Sequence, residues 1–310
     1  MTDSKPFVIK EGLFYDIPSE QYHRIGGTFS SSQLKDALKD IEFFHRKHIL
    51  RTVEREENTA FELGTYVHTA ILEPEKLQLE CAVFEGIRRG EKWETFKTVN
   101  AGKAIITKSE KEGADNLIKA IRGSPVAMGR INRSQSEVSA FLEILVYGGE
   151  VFAPSWKKVL SKHGWVDAKV PTTKGTKLWI KCRADKLGAN FILDLKTTSG
   201  NAKSEYDMRT KVSSLSYDLS AAMYLDVFSA VQKKAMFEFV WTFASKDFGN
   251  CKNYIASEDN ILIGRAKWKK AILAIADGME CNWEFDDSMA ILKPAPHEYE
   301  FIRESAEESL

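Results

Sequence analysis

The chain has 310 residues, 43% hydrophobic and 28% charged, the balance of an ordinary globular protein with enough length to bury a sizeable core. No run approaches the roughly 18 apolar residues of a bilayer span. The opening MTDSKPFVIKEGLF lacks the basic-then-apolar order of a secretory leader, so a cytoplasmic protein is expected. Lys plus Arg and Asp plus Glu are equal at 44 each, so whole-chain charge gives no support for a nucleic-acid partner, and only a local basic surface could provide it.

In chain order, residues 1–27 read as a short strand or turn region with a polar lead. Thr28 to Ser32 then offers several helix caps before SQLKDALKDIEFFHRKHIL, where Leu34, Leu38 and Ile41 fall at helical spacing. After the charged RTVEREEN, a second helix is predicted over TAFELGTYVHTAILEPEKL, closing near Pro74. Residues 84–104 are polar and basic with aromatic punctuation, and a third helix is predicted from Ser109 to Ile121. The period then changes. SEVSAFLEILVYGG, GWVDAKVP, TKLWIKCRADKLG and NFILDLKTTS read as strands, broken at Gly149, at 172–175 and at Gly188 to Asn190, the last a candidate hairpin. A helix over YDLSAAMYLDVFSAV, a strand MFEFVWTFAS and a helix IGRAKWKKAILAIADGM complete the body.

These elements predict an α/β (α+β) protein, a small mixed sheet flanked by helices with a helical amino-terminal elaboration. The expected organisation is a single domain over 1–310. It has a mainly helical part at 1–125, a sheet core at 126–290 and an acidic tail at 291–310. Cys81, Cys182, Cys251 and Cys281 lie far apart without a CxxC pair, which argues against a zinc ribbon and predicts no iron–sulfur cluster. From Trp156 to Lys186, nine basic residues face only Asp167 and Asp185, a composition that suits either a local phosphate-binding surface or a solvated lysine-rich loop.

The chemistry concentrates in Arg183-Ala-Asp185-Lys-Leu-Gly-Ala-Asn-Phe-Ile-Leu-Asp194-Leu-Lys196. Alternate strand residues share a face, so Asp194 and Lys196 point together while Leu195 turns away. The hairpin returns Asp185 to their side. Two carboxylates and an ammonium at one sheet end are what phosphodiester hydrolysis needs, oxygen ligands for Mg²⁺ or Mn²⁺ and a cation for developing phosphoryl charge. Asp-x-Lys alone is weak, occurring also at Asp3 and Asp167. Only at Asp194 does an apolar run precede it with an acid nine residues upstream. Its bland reading is a surface ion pair at a strand end.

This pattern resembles the PD-(D/E)XK nuclease superfamily, and within it the exonuclease VIII (RecE-like) and phage recombination exonuclease branch. The likeness extends to Glu20-Gln-Tyr22-His23 with Phe29-Ser-Ser-Ser-Gln-Leu34, to Gly64-Thr-Tyr-Val-His68, to Arg88-Arg89-Gly-Glu-Lys-Trp93 and to Gly264-Arg265. It implies a restriction-endonuclease-like core with Asp185, Asp194 and Lys196 as the catalytic acid, acid and lysine. His68 would be a metal ligand or metal-orienting residue, and the Leu195 backbone carbonyl a further ligand. It also implies linear double-stranded DNA with free ends as substrate, a single-strand annealing protein as partner and a homo-oligomeric ring of three or four.

Glu137 is an additional metal-ligand candidate or a solvated edge residue. Arg88 and Arg89 are DNA-contact candidates or an exposed basic turn. Many relatives carry a glutamate four residues after the histidine, where Leu72 stands here; Glu73 is about 100° round the helix and is left out. Ser220 replaces the relatives' glutamine, leaving Tyr224 as a DNA contact or a packing residue. An endonuclease or repair nuclease on the same fold, and a catalytically silent DNA-binding module, are the alternatives.

Overall fold

A computed structural model describes residues 7–53, 59–172 and 174–285, so the acidic tail at 291–310 lies outside the described residues. The chain opens with β1 (Gly12–Phe14), α1 (Ser19–Arg24) and β2 (Thr28–Phe29). α2 (Ser31–Lys39) begins at a capping box between Ser30 and Gln33 and buries Leu34 and Ala37. The single helix expected over 32–50 is broken at Asp40. That residue leaves helical backbone, and its carboxylate accepts from the Phe43 amide at 2.8 Å to start α3 (Ile41–Phe44), which continues as a π-helical turn, His45–Ile49.

α4 (Thr59–Leu72) stops just before Pro74, followed by α5 (Leu77–Glu80). β3 (Cys81–Phe84), α6 (Glu91–Val99) and β4 (Ala104–Thr107) come next, the two strands pairing in parallel as a separate small sheet. α7 (Lys108–Arg122) runs one residue beyond its expected limits at each end, behind a Thr107/Glu110 capping box, and α8 (Pro125–Ile131) follows.

The remaining elements are β5 (Gln135–Tyr147), β6 (Glu150–Ala153), β7 (Lys158–Ser161), β8 (Gly164–Asp167), β9 (Thr176–Leu187) and β10 (Phe191–Thr198). After them come α9 (Glu205–Ser214), α10 (Tyr217–Gln232), β11 (Glu238–Ser245), β12 (Asn250–Ile255) and α11 (Glu258–Glu280). The sheet order is β12-β11-β10-β9-β5-β6-β7-β8, with β1 on β5 and β2 on β9. Among the described residues it has ten strands where a small sheet was expected, because short hairpins extend it at both ends. Pairing is antiparallel except β10 with β11 and β2 with β9. The helical crossover through α9 and α10 is what makes β10 and β11 parallel.

Helices cover both faces. Val138, Ala140, Leu142 and Ile144 of β5 join Ile180 and Cys182 of β9 in a core with α2, α10 and α11. Leu193 and Leu195 of β10 pack on the opposite side with Val67 and Ile71 of α4 and Leu117 of α7. Among the described residues no helix is long and apolar enough to cross a membrane.

The backbones of α10 and α11 approach so closely that a Cβ at Gly264 would lie 2.0 Å from the Asp218 carbonyl oxygen. Next to it, Arg265 donates to both carboxylate oxygens of Asp226 at 2.8 and 2.7 Å, and Trp268 Nε1 donates to Asp226 Oδ2 at 3.0 Å. The Gly264-Arg265 pair thus clamps the helix that carries Tyr217 and Tyr224. Asp226→Ala strands a buried guanidinium, so stability measured by urea unfolding should drop by about 3–5 kcal/mol. A loss below about 1 kcal/mol would contradict the clamp.

Candidate active site

The β5–β9 ladder runs from Val146↔Thr176 to Val138↔Ala184, skips one pair, and resumes at Ser136↔Lys186. The skipped pair is Glu137 and Asp185. Glu137 has φ 50, a left-handed backbone that costs a glutamate energy. The in–out alternation changes there. Ala184 faces the main core, but beyond the break Leu187 does so. Lys186 instead donates to Ser136 Oγ at 2.6 Å, and Ser136 donates to the Leu72 carbonyl at the end of α4 at 2.7 Å.

A second interruption lies beside the first. The β9–β10 hairpin forms only Leu187↔Ile192 and Lys186↔Leu193. The next pair in register would be Asp185 and Asp194, but β9 and β10 part before it, while β10 stays paired with β11 through Asp194↔Trp241 and Lys196↔Phe243. Asp185 fills the resulting fork: its Oδ2 accepts from the Leu195 amide at 2.7 Å. The N–H and C=O of one extended residue leave on the same side of the strand. By that rule the Leu195 carbonyl is directed to the same fork.

His68 on α4 brings Nδ1 to 3.6 Å from Asp185 Oδ2, and Lys196 Nζ donates to Asp194 Oδ1 at 2.7 Å. The side chains of Asp185 and Asp194 remain 15% and 11% exposed, and those of His68 and Lys196 28% and 27%, so the cluster is reachable from solvent. Burial raises the Asp185 carboxyl above the usual carboxylate range; Asp194 adds to this, while His68, Lys196 and the Leu195 amide oppose it. Burial and then the charge of Asp185 push Glu137 up to about 8, with Arg183 3.8 Å away only partly compensating. Burial opposes charge on Lys196, but Asp194 and Asp185 overcome it and hold the ammonium above its ordinary value.

Carboxylates so short of positive charge have the chemistry of a divalent-cation site. Asp185, Asp194 and the Leu195 carbonyl supply hard oxygen donors. His68, more than 3 Å from the Asp185 oxygen, is placed to orient that carboxylate. Among the described residues no three His, Cys, Asp or Glu groups form a ready-made metal cage.

Comparison with known families matches residues 30–281 to the PDDEXK-like domain of unknown function DUF3799. The chain belongs to that family. The crystal structure of a Eubacterium rectale protein, described as a candidate exonuclease, is similar in fold: TM-score 0.56, 14% identity, covering 90% of this chain and 96% of the other. A second structure, SSO0001, is 15% identical over 78% of this chain and 84% of its own, but its TM-score of 0.27 is too low to argue from. The comparison with curated proteins gives no match.

Other residues of this PDDEXK-like domain fall less simply. Arg88 is engaged within the protein. It pairs with Glu62, donates to Glu110 at 2.9 Å and to the Ile105 carbonyl at 2.8 Å, and lies over Trp93, tying α4, α6, β4 and α7 together. Arg89 is exposed. The Tyr224 ring packs into the main core near Phe239, and its hydroxyl bonds Ser31, so it supports the site from beneath.

The basic run of 156–186 divides: Lys157, Lys162, Lys169, Lys174 and Lys177 are exposed, while strand alternation and burial turn the other four inward. Lys181 donates to the Tyr22 and Ile25 carbonyls at 2.9 Å, Arg183 to Ser139 Oγ and the Ile17 carbonyl, and Lys158 pairs with Asp167. Gly64 passes over Thr197, where an added Cβ would meet Oγ1 at 4.0 Å, so sterics do not demand glycine. Sequence reasoning missed Lys35 and Tyr217, which reach the site from α2 and the start of α10. Their electrostatic coupling to Asp194 and Lys196 is a tertiary feature without a local signal.

Glu137 gives a pH signature. Below its ordinary value of 4.5 the side chain is protonated whether folded or not. Between 4.5 and about 8 the unfolded chain ionises it and the folded chain does not, so ion-free stability should fall as pH rises through that window. Thermal melts in a chelator should therefore show Glu137→Gln gaining on the wild type from about pH 5 to about pH 8. Parallel pH profiles would contradict the assignment.

Proposed function

We propose that this domain is a divalent-metal-dependent exodeoxyribonuclease that shortens one strand of linear duplex DNA, exposing single strand for recombination. The observation that carries the reading is the gathering of Asp185, Asp194 and Lys196 at an open sheet fork, with His68 against the first of them. Membership of a PDDEXK-like family supports nuclease chemistry in general. The exonuclease direction is supported by the sequence resemblance to the RecE-like branch and by the description of the Eubacterium rectale neighbour.

Mg²⁺, with Mn²⁺ as substitute, suits the oxygen donors; a bound ion would neutralise phosphoryl charge and acidify a water. The chain's own groups do the rest. Asp185 and Asp194 fix the docking point, His68 holds the Asp185 carboxyl in orientation, and Lys196 presents an ammonium to the negative charge that builds on the phosphate. In the ion-free protein its two carboxylate neighbours raise the proton affinity of Lys196, in keeping with a cationic role. The same reading extends to a cytoplasmic setting, a ring of three or four copies threading a DNA end, and a single-strand annealing protein as recipient of the product.

End-labelled linear duplex should be degraded only with Mg²⁺ or Mn²⁺, and a closed circle should survive. Lys196→Ala should fold and bind DNA while cleavage falls at least about a thousandfold. Cutting of the closed circle would make the protein an endonuclease. Undiminished turnover in Lys196→Ala would remove the site assignment.

A further inference from the structure

Lys35 sits on α2 between the buried Leu34 and the half-buried Asp36, and is itself half-buried. Its Nζ lies 5.0 Å from the centroid of the Tyr217 ring, and Lys196 Nζ lies 5.2 Å from the same centroid. The two ammonium groups are therefore no more than about 10 Å apart. The carboxylates around them already have cations. Asp194 accepts from Lys196 at 2.7 Å and Asp218 from Lys267 at 2.7 Å. Among the described residues Lys35 has no carboxylate within ion-pair distance, although Asp194 and Asp218 both attract it.

Lys196 also feels Asp185, so the three ammonium groups of this partly buried corner stand against three carboxylates, and Lys35 is the one without an ion-pair partner among the described residues. Burial, and next the charge of Lys196, bring the Lys35 ammonium down to about 8. Packing alone would not call for this arrangement, since a methionine would cover the Tyr217 ring without the charge. The unpaired ammonium of Lys35 makes sense if an anion completes the corner.

We propose that Lys35 is a second phosphate grip: a phosphate of the DNA backbone docks at the ammonium of Lys35, beside the Tyr217 ring that both Lys35 and Lys196 contact. The inference rests on the nuclease reading and adds a substrate-positioning residue to it. Lys196 faces the reacting phosphate, and Lys35 holds that phosphate or the next one along the strand. The neutral chain needs few such contacts if each is placed at the cleavage point.

The test is the salt dependence of duplex binding, read with Ca²⁺ in place of Mg²⁺ to hold off turnover. Each phosphate contact contributes about 0.9 to the slope of log affinity against log salt concentration. Lys35→Met should lower that slope by about one unit and reduce Mg²⁺-dependent kcat/KM by about tenfold or more, with the melting temperature held. Lys35→Arg should restore the slope. If Lys35→Met fails to fold, Lys35→Gln carries the same measurement. A wild-type slope in the neutral variant would overturn the grip even if cleavage declined, since a merely structural lysine changes activity without releasing fewer counterions. A wild type that neither binds nor cuts DNA would instead remove the nuclease reading, and this inference with it.

Discussion

From Asp194 onward, β10 keeps one neighbour and loses the other. β11 continues beside it to Thr198, while β9 diverges after Lys186. An amide left facing such a gap must find an acceptor, because a buried unpaired N–H costs about as much as a lost hydrogen bond. The Leu195 amide finds it in the Asp185 carboxylate. That one bond fixes the position of Asp185 and ties it to the strand carrying Asp194 and Lys196. It also brings the carboxyl within reach of His68 on a helix from the other layer. Without it the acids would occupy two diverging strands.

The local charge balance follows from that geometry. Asp185, Asp194 and Glu137 descend from adjacent strands at one level of the sheet, and only part of their charge is neutralised from within. Asp194 has Lys196; Glu137 has an arginine at 3.8 Å; Asp185 has a histidine and an amide. On the side of Tyr217, the ammonium groups of Lys35 and Lys196 both contact one ring. The clamp of Asp226 on Arg265 matters here because it fixes the helix from which Tyr217 projects.

Much of this was legible in the sequence because it is local. Period-two alternation placed Asp194 and Lys196 on one face, the Gly188-Ala189-Asn190 break marked the reversal, and helical spacing outlined α4 and α7. What stayed hidden depends on distant partners. β6, β7 and β12 are four to six residues long and acquire meaning only by pairing, so the sheet was underestimated. Arg88 finds its acids 26 and 22 residues away. The basic run divides between exposed and inward-turned side chains because a linear count ignores which side of a strand each residue leaves from. Asp40 splits a periodic helix because its short side chain competes for the Phe43 amide, a choice that periodicity does not see.

Calorimetric titration of Mg²⁺ or Mn²⁺ into the wild type and into Asp185→Asn tests the fork most directly. Asparagine can still accept from the Leu195 amide, so the fold is retained while the charge is removed. A binding event in the wild type that is lost in Asp185→Asn is the predicted result. Identical isotherms for the two proteins would contradict the placement of the ion at the fork.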